Sequence, residues 1–128
     1  MKKQLLVLLL FVSAAFYAQD KTENIAVTEK AIAKKWVFKD IVNDKLSKQE
    51  YAENKDLMEG IFLELRADKT CMTSFILDEE GTWSLDAATN IITVKDRKTN
   101  IWKINWLKEN QISLSRNKAA QQIIFEAK

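Results

Sequence analysis

The sequence predicts a mainly β protein: an eight-stranded antiparallel up-and-down barrel with a short N-terminal helix and a second helix between the first and second strands. After Gly60, short apolar or β-branched runs recur between polar clusters, which is typical of all-β proteins. These clusters have the length of hairpin loops, so neighbouring strands are expected to pair antiparallel. No gap after Gly60 is long enough for a crossover helix, which excludes a parallel α/β sheet.

The first predicted helix lies within residues 22–34. Ile25, Ile32 and Trp36 are separated by seven and four positions, and alanines between them favour helix. Residues 35–42, KWVFKDIV, are instead rich in aromatic and β-branched side chains and predict the first strand.

The second predicted helix runs from Lys48 to Glu59. Ser47 is followed three positions later by Glu50, which is the pattern of a capping box, and Gly60 suits a left-handed C-cap. This segment contains few large apolar residues, so we expect it to cover or flank the barrel rather than anchor its core.

Seven further strands are predicted after Gly60, and with the first they most simply close into a barrel. The acidic segment from Asp78 to Gly81 is interpreted as one of the turns between them. The strands are expected at residues 61–66, 70–77, 82–85, 91–96, 101–107, 111–116 and 121–127.

Alternation along the strands gives a set of inward-facing apolar residues. Two interpretations of this set stay open: the side chains line a pocket in which indole N–H groups orient a ligand, or they fill the barrel as plain core. The candidate ligand-binding residues are Trp36, Leu63, Trp83, Trp102, Ile104, Trp106 and Leu114.

Residues 1–19 have the pattern of a secretory signal peptide. Lys2 and Lys3 precede the apolar run from Leu5 to Val12, and small residues follow. The run is far shorter than the roughly 20 residues needed to span a bilayer. We therefore predict export to the periplasm or the cell exterior after cleavage, with residues 20–128 forming one domain and no membrane span left. No cysteine lies at the junction, so a lipoprotein is not expected.

Composition excludes several classes of function. The chain has no His, which removes His-dependent nucleophiles, His-ligated zinc and imidazole proton transfer. Cleavage after Gln19 would leave 18 basic and 18 acidic side chains and no basic run, so nucleic acid is not an expected partner. Cys71 is the single cysteine, so no internal disulfide can form. We predict no catalytic residues, no metal site and no cofactor.

After the Trp strand and the helical segment, the chain carries in order the motifs L-x-L-x-A-D-K-T-C, G-T-W-S-L, I-I-T-V, W-K-I-N-W-L and I-S-L-S. This order of motifs resembles the small bacterial lipocalin-like proteins of the calycin group. The resemblance extends from Trp36 to Phe125. It implies a barrel closed at one end, whose open mouth takes a small apolar ligand in many relatives. The matching residues are Leu63, Leu65, Asp68 to Thr70, Gly81, Trp83, Leu85, Trp102, Ile104, Ile112 and Leu114.

Two functions from different classes follow from the sequence. The first is an exported, monomeric lipocalin-like protein that holds a small apolar or amphiphilic molecule, with the second helix over or beside the mouth. The second is a structural or interaction protein of the cell envelope, whose solid barrel has no small-molecule ligand and whose surface binds another protein. A cavity of several hundred Å³ would favour the first function, because small-ligand pockets occupy about 300 to 1,000 Å³.

Overall fold

Eight antiparallel strands form a closed barrel in which each strand pairs with the next along the chain and the last pairs with the first. The computed structural model describes residues 23–128, so the predicted signal peptide lies outside the described residues. The predicted fold class is confirmed. The strands are β1 (Lys35–Val42), β2 (Phe62–Leu65), β3 (Thr70–Ser74), β4 (Asp78–Asp86), β5 (Ile91–Lys95), β6 (Thr99–Leu107), β7 (Gln111–Arg116) and β8 (Gln122–Ala127).

Two short helices accompany the barrel, α1 (Glu29–Ile32) and α2 (Lys48–Met58). At the start of α2, the Ser47 side chain accepts from the Glu50 backbone N–H and the Glu50 carboxylate accepts from the Ser47 N–H, so the predicted capping box is present. Gly60 follows the helix with a φ of +87°, the left-handed conformation in which glycine is favoured. Within residues 23–128, neither helix is long and apolar enough to cross a membrane.

α1 is shorter than the predicted N-terminal helix. The segment before it does not continue the helix, because the Ile25 backbone N–H donates to the Leu107 carbonyl at 2.9 Å. A backbone hydrogen bond to β6 thus replaces the helical bond that the apolar spacing suggested. Thr28 caps the remaining single turn, its side chain accepting from the Ala31 N–H.

The interior of the barrel is filled with apolar side chains from every strand. Strand alternation explains the pattern, because every second residue faces the interior. The largest fully buried side chains are Trp36, Trp102, Phe125, Ile32, Leu63, Leu65, Ile92, Leu107, Ile112, Leu114, Val94 and Cys71.

The hairpin between β3 and β4 lies three residues earlier than predicted. The segment 78–81 belongs to β4, where Asp78 pairs with Ser74 and Gly81 pairs with Cys71, so its interpretation as a turn was wrong. The connection is instead 75–77, predicted as the end of a strand. The alternation of β4 extends through the acidic residues: Asp78 and Glu80 are exposed and Glu79 is half-buried. Because the outward acids remain in solvent, their weak strand propensity does not prevent pairing.

Candidate binding cavity at the barrel mouth

The two ends of the barrel differ in how they are covered. At one end α1 covers the interior with fully buried Ile32, and the Trp36 indole N–H donates to the Ile32 carbonyl at 2.9 Å. Lys34 fixes α1 to the rim there, because its Nζ donates to the Glu109 carbonyl at 2.8 Å. The opposite end carries the connections 75–77, 96–98 and 117–121 together with the C-terminal end of α2, and we call this end the mouth.

Two adjoining cavities lie at the mouth. The first, of about 340 Å³, is called the polar cavity after the charged residues on its rim; it is lined by Thr73, Phe75, Ile76, Leu77, Glu79, Val94, Asp96, Arg97, Lys98, Asn100, Trp102 and Arg116. The second, of about 630 Å³, is called the apolar cavity; it is lined by Leu57, Met58, Ile61, Phe75, Ile76, Arg116, Asn117, Ala119, Gln121 and Ile123. Phe75, Ile76 and Arg116 line both, so one elongated molecule can contact both cavities.

An aromatic cluster forms the buried side of the polar cavity. Trp102 stacks on Phe75 with ring centroids 5.5 Å apart and meets Phe125 edge-on at 6.2 Å. The Arg116 guanidinium lies 4.9 Å from the Phe75 ring and 5.6 Å from the Trp102 ring. Asn100 holds it there, because its side-chain oxygen accepts from Arg116 Nε at 3.2 Å and from Nη2 at 3.1 Å. The mouth therefore presents a positioned cation over an apolar surface.

Three buried tryptophans differ in whether the indole N–H has an acceptor among residues 23–128. Trp36 donates to the Ile32 carbonyl, and Trp83 donates to the Arg66 carbonyl at 2.8 Å. Trp102 is 1% exposed, and no acceptor in residues 23–128 reaches its Nε1. A buried donor without an acceptor is costly and uncommon in proteins. Among these three, only Trp102 lines the polar cavity.

Among residues 23–128, some charged groups on the rim of the polar cavity have a partner of opposite charge and others do not. Arg97 pairs with Glu79 at 3.6 Å. Asp96 accepts from the Thr73 hydroxyl at 3.4 Å and from the Lys98 backbone N–H at 3.1 Å. In the part of the chain that the structure describes, Arg116 forms no ion pair with a carboxylate. The rim thus offers cationic groups that no acid of residues 23–128 neutralises.

α2 has no fully buried residue, and polar contacts to β1 help to hold it beside the mouth. The Asp40 carboxylate on β1 accepts from the Tyr51 hydroxyl and lies 3.7 Å from Lys55 Nζ. The Tyr51 hydrogen bond holds the pKa of Asp40 below its usual value and raises the pKa of Tyr51. This contact places Leu57 and Met58, at the end of α2, against the apolar cavity.

The seven predicted ligand-binding residues separate into three groups. Trp102 alone lines a mouth cavity. Trp36, Leu63, Trp83, Ile104 and Leu114 are buried in the filled interior.

Trp106 forms the third group, because it faces outward although it was predicted to face inward. Pairing between β6 and β7 shifts between Ile104 and Trp106, so Leu107 takes the inward place opposite Ile112. Trp106 pairs with Ser113 and is half-buried, with Lys108 Nζ 4.9 Å from its ring. The extra residue of this irregularity reverses the alternation, which strict period-two counting cannot detect.

Sequence reasoning missed Phe75, Ile76 and Arg116, the residues that line both cavities. The run Phe75-Ile76-Leu77 was assigned to a strand because of its apolar composition. A signal was present, since three consecutive apolar residues before three acidic ones fit no alternating strand. In the structure Ile76 is 96% exposed at the tip of the hairpin.

Within the described residues, neither Cys71 nor the acidic side chains have the features of a second reactive site. Cys71 is buried, and burial raises the pKa of its thiol, which opposes formation of the nucleophilic thiolate. Among residues 23–128, no three Cys, Asp or Glu side chains lie close enough together to hold a metal ion.

Comparisons with known proteins give a structural neighbour. No protein-family model matches the chain, and no curated protein matches it significantly. Among solved structures, the chain is similar to the crystal structure of a DUF4847 family protein from Bacteroides vulgatus, with 18% sequence identity and a TM-score of 0.52. The match covers 73% of this chain and 92% of that one. At this identity the likeness concerns the fold alone, and it supports the closed antiparallel barrel.

Proposed function

We propose that this chain is an exported, lipocalin-like binding protein that takes a small amphiphilic molecule into the mouth of its barrel. The observation that carries the proposal is the pair of adjoining cavities, about 340 and 630 Å³ in volume, at the end away from α1. These volumes lie in the range of small-ligand pockets. The barrel interior is already filled by side chains, so the ligand lies at the mouth rather than deep within the barrel.

The lining supports an amphiphilic ligand rather than a purely apolar or a purely polar one. Phe75 and Ile76 contribute apolar surface to both cavities, and 96% exposure of Ile76 leaves that surface in water unless a ligand or partner covers it. A few polar groups, including Arg116 and Asn100, adjoin this surface. Ligand sites commonly combine a mostly apolar lining with a small number of positioned polar groups.

Native mass spectrometry of the protein purified from its own host tests this proposal. We expect a stoichiometric small molecule, released by organic extraction, on a monomeric chain whose N-terminus has been cleaved near residue 20. Ile76→Asn should reduce the bound fraction. Ile101→Asn, which changes another exposed isoleucine outside both cavities, should not. A chain without ligand that also fails to bind added amphiphiles would contradict the proposal.

The second function, a protein-interaction barrel, has one observation in its favour. Ile76, Leu77 and Leu57 are exposed near the mouth at 96%, 62% and 80%. Exposed apolar residues that lie together mark binding surfaces for proteins as well as for small molecules. An empty chain that retains no amphiphile would favour this function.

A further inference from the structure

We infer that the ligand carries an anionic oxygen group, such as a carboxylate, that binds between Trp102 Nε1 and the Arg116 guanidinium, while its apolar chain extends into the apolar cavity. This inference rests on the proposed function and specifies its ligand class. It comes from two donors at one cavity: within residues 23–128, Trp102 Nε1 has no acceptor and Arg116 has no carboxylate partner.

The first donor is the Trp102 indole N–H. Its residue is 1% exposed and lines the polar cavity, yet no acceptor of the described chain bonds to Nε1. The N–H of Trp36, equally buried, has a backbone acceptor. A ligand oxygen in the polar cavity would give Trp102 the acceptor that the chain itself provides for Trp36.

The second donor is Arg116. Asn100 occupies Nε and Nη2 from one side, and Phe75 and Trp102 lie against the guanidinium. These contacts fix the direction of the group without neutralising its charge, because the Asn100 oxygen is uncharged. Hydrogen bonds from arginine to a carboxylate are charge-assisted and about twice as strong as neutral ones, so an anion gains more here than a neutral group.

The balance of charged side chains that line the polar cavity favours the binding of one anion. Glu79 is paired with Arg97, and Asp96 accepts from Thr73 and from the turn backbone at Lys98. Three cations and two carboxylates line the polar cavity, so one positive charge remains in excess. A bound carboxylate would balance this excess, whereas a cationic end group would increase it.

The position of Arg116 between the two cavities predicts the orientation of the bound molecule. Arg116 lines both cavities, and the apolar cavity beyond it is lined by Leu57, Met58, Ile61 and Ile123. An anionic end at Arg116 therefore places an attached alkyl chain under the C-terminal end of α2. Phe75 and Ile76 contact the chain where the two cavities join.

The test is isothermal titration calorimetry of the delipidated protein with decanoate, decan-1-ol and decyltrimethylammonium. These probes share one alkyl chain and differ in end group. We expect decanoate to bind about 10-fold more tightly than the alcohol, the ratio that one charge-assisted hydrogen bond supplies. The cation should bind most weakly. Arg116→Gln should remove the preference for decanoate, and Arg116→Lys should retain part of it. Lys103→Gln, which removes an outward-facing charge on β6, should leave it unchanged.

A second measurement does not depend on any variant at the site folding correctly. In ¹⁵N-labelled wild-type protein, saturating decanoate should shift the indole N–H resonance of Trp102 downfield, while those of Trp36 and Trp83 stay in place. Equal affinity for decanoate and the alcohol, with no Trp102 shift, would overturn the inference and leave the proposed function standing. Failure of all three probes to bind, together with no copurifying molecule, would overturn both.

Discussion

The Trp102 indole N–H, which has no acceptor among residues 23–128, leads to a quantitative prediction about stability with Trp36 as the matched control. Both side chains are almost fully buried, at 1% and 0% exposure, and differ in whether Nε1 has an acceptor. Replacing Trp by Phe leaves a cavity of about 40 Å³, which at about 24 cal/mol per Å³ costs about 1 kcal/mol at either site in addition to a transfer free energy that is similar at both. The two variants should therefore differ mainly through the N–H group that each one loses.

The two variants should differ because the indole N–H of Trp36 has an acceptor and that of Trp102 has none within residues 23–128. Trp36→Phe also loses a satisfied bond worth about 1 kcal/mol, which adds to the cost that the two variants share. Trp102→Phe instead removes a buried donor whose unsatisfied state costs about 1 to 3 kcal/mol, which offsets the lost volume. We therefore expect Trp102→Phe to be about 2 to 4 kcal/mol more stable to unfolding than Trp36→Phe.

Urea denaturation of the delipidated protein, followed by far-UV circular dichroism, measures this difference. Circular dichroism is preferred because both substitutions change the tryptophan fluorescence. The m-values of the two variants should agree, which shows that only stability has changed. A Trp102→Phe variant that loses as much stability as Trp36→Phe would refute the reasoning, because Nε1 would then have a partner in the ligand-free protein.

Three further predictions concern the scaffold. Gly81→Ala should cost about 1 to 3 kcal/mol of unfolding free energy in urea titrations, because its Cβ would overlap the Lys95 carbonyl oxygen; an unchanged midpoint would contradict this. Lys118→Gly should stabilise the protein by about 1 kcal/mol in the same assay, since Lys118 has a φ of +66°, and a loss of stability would oppose this account. Asp40→Asn should speed hydrogen exchange in α2 while leaving the barrel protected. In the wild type, α2 should lose protection from hydrogen exchange as the pH falls through the lowered pKa of Asp40, and again as the pH rises through the raised pKa of Tyr51. If protection of α2 changes with pH in the same way as protection of the barrel, the Asp40–Tyr51 contact does not hold the helix.

Local signals allowed most of the scaffold to be predicted. The capping box of Ser47 and Glu50 marks the start of α2, and strand alternation places Trp102 and Leu114 inside the barrel. Two errors have one cause, which is that strand register is a property of pairs rather than of a single segment. The irregularity after Ile104 and the early turn at 75–77 both depend on the partner strand.

The cavity residues were harder to predict than the core because their role depends on which connections meet at one end. Phe75 and Arg116 lie far apart in sequence and have no motif in common, yet closure of the barrel brings the guanidinium to 4.9 Å from the ring. Their position at the mouth follows from strand direction and closure, which fix where the turns lie but leave each turn's composition unconstrained. A sequence pattern can therefore identify such a barrel without identifying the residues that line its mouth.

Asp68, Lys69, Thr70 and Trp83, four of the residues that carry the resemblance to lipocalin-like proteins, have a structural role at the end opposite the mouth. In the turn between β2 and β3, the Thr70 hydroxyl and N–H donate to the Asp68 carboxylate, which holds the pKa of Asp68 below its usual value. Lys69, with a φ of +74°, pairs with Glu29, the first residue of α1, and its Nζ lies 4.5 Å from the centroid of the Trp83 ring. These contacts join β2, β3, β4 and α1 far from the cavities. The resemblance residues at this turn thus help to close one end of the barrel, whereas most residues that line the cavities lie in the less patterned connections at the other end.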